Sequence, residues 1–418
     1  MEVTDVQYKE SEIGVIPVDW NVKKISDFSK PVRGGSPRPA GSPLYFNGDY
    51  IPWLTVAALT NISSSQIFVS ETEGFLTQLG SEYSRTLEKD TLIIANSGAT
   101  LGVAKLLAIK CCANDGIAAL NNFSREVDKA YVVYYINSIT QKLREVVATG
   151  NGQPNLNTTL IGELRIPLPS TKSEQTAIAT ALSDTDALIE NLEKLIAKKR
   201  NIKQGVMQEL LTGKKRLAGF KGKWVTIKIG EVADIHKGNG LSKTKLKQAG
   251  KYGCILYGEL FTTYKRIIKN AISHTDYEEG VYSKAGDILM PGSTTTTGID
   301  LAIASAVLKD NILLGGDINV IRPKTASINS IFLAYYITEV LKHKILELTQ
   351  GITIIHLYGK DLKTLEIAIP EISEQDAIGK ILVDIDEELS GLENQMNKYQ
   401  LIKQGMMQKL LTGKIRLV

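Results

Sequence analysis

"IKQGVMQELLTGKKRL" occupies Ile202–Leu217, and "IKQGMMQKLLTGKIRL" occupies Ile402–Leu417; thirteen of the sixteen positions are identical. The match extends upstream. Aligning Ser173–Leu217 with Ser373–Leu417 gives 24 identities in 45 positions at a constant offset of 200. With one residue of slippage, "LRIPLPSTKSEQ" (Leu164–Gln175) meets "LEIAIPEISEQ" (Leu365–Gln375), and "YVVYYI" (Tyr131–Ile136) meets "FLAYYI" (Phe332–Ile337). Trp20 and Trp224 each lead into a basic, glycine-containing stretch, whereas 37–84 and 242–280 share almost nothing. Self-similarity at a fixed period implies a duplicated architecture. The chain is a tandem repeat with similar frames and different middles.

The repeated segment reads as a long helix. Pro169 and Pro370 precede it, Ser173 and Ser373 are candidate caps, and Gly213 and Gly413 candidate stops. Apolar positions follow a 4-3-4-3 spacing. They are Ile378, Leu382, Ile385, Leu389, Leu392, Met396 and Tyr399 in the second copy, against Ile178, Leu182, Thr185, Ile189, Leu192 and Ile196 in the first. That narrow seam is a coiled-coil signature, and the other copy is the obvious partner. A helix of about forty residues spans roughly 60 Å. Pseudo-two-fold packing makes the pair antiparallel. The expected fold is mixed α/β: two similar globular domains separated by two long helices that form an antiparallel coiled coil, in a pseudo-two-fold tandem repeat. The expected division is 1–172 and 213–372 for the globular parts (the second with its linker), 173–212 for the first helix, and 373–418 for the second helix and tail.

Composition bounds the function. At 418 residues, 43% hydrophobic and 22% charged, the chain reads as a soluble protein of more than one domain. The opening residues are polar and acidic, unlike a signal peptide, and no apolar run is long enough for a membrane span. Cys111 and Cys112 are adjacent and Cys254 stands alone, a poor disulfide framework, so reduced thiols and a cytoplasmic location are expected. A net charge of +4 is compatible with nucleic acid without requiring it.

Catalytic signatures are missing from the sequence. No Gly-Lys pair is followed by Ser or Thr, no Gly-x-Gly-x-x-Gly occurs, and the four histidines lack metal-ligand spacing. A binding protein is the expectation, with no catalytic residues, no metal and no cofactor in this chain.

The candidate binding surfaces are polar, basic loops in register between the halves. The first pair is "KPVRGGSPRPAGSP", with Lys30, Arg33, Gly34 and Arg38, and "HKGNGLSKTKLKQAGK", with Lys237, Asn239, Lys243 and Lys245. Lys and Arg neutralise phosphates, and glycine lets backbone N–H groups approach them; on charge alone, solvated loops fit equally well. The second pair is "NSGATLG", with Asn96, Ser97 and Thr100, and "GSTTTTG", with Ser293, Thr294, Thr295 and Thr296. The third is "TGNGQPNLN", with Asn151, Gln153 and Asn155, and "TQGITIIHLYG", with Thr353 and His356. Small hydroxyl and amide side chains suit phosphates and base edges. Past the helix seam, Val206, Met207, Leu210 and Leu211 recur as Met406, Met407, Leu410 and Leu411. This adaptable apolar patch reads equally as a partner-docking surface or as packing against the globular parts.

Taken together, the "IPVDW" opening, "SGATLG", "GNGQPNLN" before "LRIPLP", "SEQ", and the ending "IKQG-MQ-LLTGK" resemble the specificity subunit of type I restriction-modification systems. The resemblance covers nearly the whole chain. It implies two target-recognition domains that each read half of a split double-stranded DNA site, with the helices setting the gap. It implies a non-catalytic chain partnered by two modification (methyltransferase) subunits and, where the system carries them, restriction subunits. S-adenosylmethionine, ATP and Mg would act in those partners. Rival readings are a coiled-coil scaffold joining two non-DNA-binding domains, or a specificity subunit serving a methyltransferase alone.

Overall fold

The computed structural model describes residues 7–147 and 155–417. The chain divides into two units, Met1–Leu195 with Leu392–Val418, and Ile196–Gly391. Each unit therefore holds one globular body, the first part of the long helix that follows it, and the last part of the other long helix.

In the first unit, a five-stranded sheet runs in the order Lys30–Arg33, Ile117–Asn121, Leu92–Ala95, Ala104–Leu107, Phe68–Val69. A four-stranded sheet follows the order Gly74–Leu76, Phe46–Leu54, Cys111–Ala113, Arg85–Leu87. The central strands are apolar on both faces, as "LIIA" at Leu92–Ala95 illustrates, because both faces are covered. In the second unit the equivalent order is Ala233–Lys237, Ile318–Pro323, Ile288–Pro291, Ser305–Val307, Ile267–Ile268. Its second sheet has five strands and holds Tyr252–Ile255 at its centre. The divergent middles contribute Phe46–Leu54 and Gly74–Leu76 to the first of these second sheets, and Leu246–Lys247, Tyr252–Ile255 and Ser273–Thr275 to the other.

A two-stranded ribbon ties each body to its long helix. Asn21–Lys24 pairs with Arg165–Leu168, and Val225–Lys228 pairs with Glu366–Ile369. The helices run Lys172–Leu210 and Ile372–Leu410. They begin just before Ser173 and Ser373, so those serines lie inside the first turn; Thr171 Oγ1 accepts from the Glu174 N–H at 3.3 Å instead. Gly213 and Gly413 adopt φ of 67° and 70°, the left-handed conformation of a helix stop.

The "SEQ" motif has a clear use. Gln175 Oε1 accepts from the Asp128 N–H at 2.8 Å and its amide donates to Pro169 O at 3.1 Å. Gln375 repeats this with Asn329 and Pro370. The glutamine thus locks the long helix to the helix that carries the Tyr-Tyr pair (Lys129–Ser138 or Ser330–Glu339).

Within each unit the two helix parts pair antiparallel. In the first, Glu174 meets Arg416, and Asp186 meets Lys403. In the second, Glu374 meets Arg216, Asp386 meets Lys203, and Glu388 meets Lys199. The seam residues Ile178, Leu182, Ile189, Ile378, Leu382 and Leu389 are buried. Tyr134 donates to Asp186 at 2.8 Å, and Tyr335 donates to Asp386 in the same way. The three cysteines are free and buried, and burial pushes the Cys111 thiol up to about 12.

The apolar patch at the helix ends is not an open surface. Met207, Leu210 and Leu211 belong to the core of the second unit, with Val206 packed against it. Leu410 and Leu411 belong to the core of the first, with Met406 and Met407 packed against it. Leu211 and Leu411 are 0% and 1% exposed and pack within the bodies, whereas Val206, Met406 and Met407 are half-buried. The cause is the helix pairing: the last turn of each helix lands on the other half's body and needs an apolar face there.

Candidate nucleic-acid interface

In the first unit three loops meet at one turn. The Gly34 N–H donates to Ile117 O at 2.8 Å, and the Asn96 N–H donates to Gly116 O at 2.9 Å. The Leu156 N–H donates to Asn96 O at 2.8 Å. Loop one (33–38), loop two (96–102) and loop three (155–157) are thereby held around the turn 113–117. The second unit repeats the lattice bond for bond. Gly238 N–H donates to Ile318 O at 2.9 Å, Gly292 N–H to Asp317 O at 2.5 Å, and Leu357 N–H to Gly292 O at 2.9 Å. Leu156 and Leu357, both buried, anchor the third loop from below.

Glycine in loop one has a steric cause. A Cβ on Gly34 would meet Asn114 O at 2.1 Å, and one on Gly238 would meet Gly315 O at 2.0 Å. Only a residue without a side chain allows so close an approach of two backbones.

The side chains on this frame differ between units. In the first, Arg33 Nε donates to Asp115 O at 2.6 Å and Arg38 lies 3.8 Å from the Asp115 carboxylate. Ser36 Oγ donates to Asp115 at 2.8 Å, and Arg85 Nε donates to Arg33 O at 2.6 Å. In the second, Lys237 pairs with Asp317 at 2.9 Å, and Ser293 Oγ donates to the same carboxylate at 3.2 Å. Lys237 holds that carboxyl below its usual range, with His356 adding to the effect. Lys245 sits 3.3 Å over the Tyr277 ring and donates to Gly240 O at 3.2 Å. Lys243 and Asn239 are exposed beside it.

The structure sorts the sequence candidates. Arg33, Gly34, Arg38, Ser97, Asn155, Lys237, Asn239, Thr295, Thr353 and His356 lie on the converging loops with some exposure. Asn151 and Gln153 fall outside the described residues. Lys30 opens the strand that Arg33 closes, about 10 Å away at 3.3 Å per residue, so it does not join the cluster. Asn96, Thr100, Ser293 and Thr294 are buried. Asn96 Nδ2 donates inward to Asp115 O at 3.3 Å, and Thr294 and Thr296 share a hydrogen bond at 2.8 Å. Thr296 Oγ1 also donates to Asp300 at 2.6 Å, as part of a helix cap. These hydroxyls and amides build the loops more than they face outward.

Asp115, Asp317 and Arg85 went unrecognised in the sequence. The two aspartates sit in "NDG" and "GGD" turns, an ordinary turn signal. Arg85 reaches the site only through the sheet. Among the described residues no group of His, Cys, Asp or Glu could hold a metal ion. No helix among them is long and apolar enough to cross a membrane.

The family model of the type I restriction modification DNA specificity domain matches this chain twice, over 17–199 and 221–403, and the chain belongs to that family. The MjaVIII type I restriction enzyme specificity subunit of Methanocaldococcus jannaschii is 24% identical over 98% of this chain and 96% of its own length. Among solved structures, the type I restriction-modification S subunit of M. genitalium matches with a TM-score of 0.63 at 17% identity, covering 98% of both chains. A chain from a structure describing complex assembly and conformational transition of a type I restriction-modification system matches with a TM-score of 0.54 at 14% identity. That match covers 96% of this chain and 99% of the other. These two likenesses concern the fold.

Proposed function

We propose that each unit lays its three-loop face on one half of a split double-stranded DNA site. The observation that carries this reading is the shared backbone lattice with unlike side chains. A common frame suits a common phosphate backbone, and differing residues suit different base sequences. Arg33, Arg38, Lys237, Lys243 and Lys245 contact phosphates in this reading, and Ser97, Asn155, Asn239, Thr295, Thr353 and His356 approach base edges. Asn151 and Gln153 belong with them by sequence position. The target-recognition bodies correspond to 1–172 and 213–372, and the helices set the gap between half-sites.

The chain itself is non-catalytic in this account. It recruits two modification subunits, where S-adenosylmethionine is used and the target adenine is extruded from the stack, and restriction subunits that use ATP and Mg where the system has them. The test is a binding titration of the full chain with its modification subunits on duplex DNA at rising salt. Binding that weakens steeply with salt supports the reading, because counterions are released from neutralised phosphates. Salt-insensitive behaviour without DNA affinity contradicts it. Inserting one helical turn into both long helices should lengthen the gap and leave both half-sites unchanged.

A further inference from the structure

The third loop of the second unit carries a side chain with no role in the fold. Ile352 is 99% exposed, and Ile354, two residues on, is 49% exposed. Their loop is not loose. The Gln350 and His356 backbones exchange hydrogen bonds at 3.0 and 2.7 Å, and 355–356 pairs as a strand with Ser293–Thr294. Ile355 packs against the core and Leu357 lies within it. Gly351 has φ of 118°, and a Cβ there would meet Ile354 O at 2.0 Å, so the turn is tightly closed. The result is a braced hairpin, free of Lys, Arg, Asp and Glu, that presents an isoleucine at its tip. Around its base stand Ser293 and the Lys237–Asp317 pair. The His356 and Tyr358 rings stack at 5.9 Å behind it, with Lys360 over Tyr358.

We propose that Ile352, backed by Ile354, is an apolar wedge that enters the base stack of the half-site held by the second unit. The inference rests on the DNA reading above. A single aliphatic side chain on a rigid tip, with hydroxyl and basic groups at its base, fits DNA better than a protein surface: proteins that kink duplexes insert Ile, Leu, Met or Phe between base steps in this way. The first unit carries no isoleucine at the aligned sequence positions. Setting Leu156 against Leu357 places Asn151 opposite Ile352 and Gln153 opposite Ile354. The distortion is therefore confined to one half-site.

The test uses the full chain with its modification subunits and duplexes carrying the cognate split motif, with 2-aminopurine placed at successive positions of both half-sites. The wild-type complex should raise the fluorescence at one step of one half-site. Ile352→Ala should abolish that rise and weaken binding about tenfold, while Ile352→Leu restores both. If the wild type binds with full salt dependence and shows no unstacked step, or if Ile352→Ala leaves the rise intact, the wedge is wrong and the DNA reading stands. If Ile352→Ala instead releases the modification subunits and spares the rise, the tip is a protein contact. If the wild type binds no duplex, both readings fall.

Discussion

Arg416 grips Glu174 across 242 residues, Nε to Oε1 at 2.5 Å and Nη2 to Oε2 at 2.8 Å, and the same guanidinium holds Asp19 at 2.8 and 2.9 Å. Glu174 is 2% exposed, and Arg416 also lies over the Trp20 ring. Arg216 holds Glu374 in the same way and lies over Trp224. Each clasp fastens the tail of one long helix to the head of the other. Removing the arginine leaves a buried carboxylate without its charge partner, which costs about 3 kcal/mol. Arg416→Ala should therefore destabilise the first unit by roughly that amount, and Arg216→Ala the second, seen as loss of amide hydrogen-exchange protection confined to one unit. Equal loss in both units, or none, contradicts the assignment.

Gly34 and Gly238 set the loop lattice. Gly34→Ala should displace loop one from the turn at 113–117 and cost about 1–3 kcal/mol, the range for forced overpacking. Gly238→Ala should do the same in the second unit. Gly222 has nothing within 4 Å of its absent Cβ, so Gly222→Ala is the control and should unfold at the wild-type temperature.

Lys105 is a buried cation that donates to Ser63 O and Gln66 O, 3% exposed in the middle of a strand. Burial, with Lys403 nearby, lowers it to about 8 from an ordinary 10.5. The unfolded chain then binds this proton more tightly than the folded one, so between pH 8 and 10.5 the Lys105 contribution to stability rises with pH. Relative to Lys105→Met, the wild type should gain about 1 kcal/mol between pH 7 and pH 9. Denaturant titrations at the two pH values check this, and a constant difference rejects it.

Arg33 and Arg38 are exposed on loop one and read as phosphate contacts. Replacing both by alanine should lower the slope of log affinity against log salt by about 2 and weaken all sequences alike. A change in the preferred motif with an unchanged slope would place these arginines on bases instead.

Much of this was legible in the sequence. The offset of 200 exposed the duplication, the heptad spacing exposed both helices, and three loop pairs in register pointed to one face. Other features were hidden for physical reasons. A heptad seam shows that a face needs a partner, yet the burial of Leu211 and Leu411 depends on which body the helix end meets. The hydroxyls of Thr294 and Thr296 look available in a one-dimensional chain, but they are taken up by each other and by Asp300. Lys105 interrupts an apolar strand with nothing nearby in sequence to explain it, because its carbonyl partners lie about forty residues away. The exposed Ile352 could not be told from a core residue before the hairpin was seen.

The most direct measurement is a genome-wide map of methylated adenine in cells that express the modification subunits, compared with and without this gene and with Gly34→Glu. The account predicts a split motif that needs the gene, with recognition of only one half altered by Gly34→Glu. A motif that persists without the gene, an unsplit motif, or one changed in both halves by that single substitution contradicts the claim that two units read two half-sites.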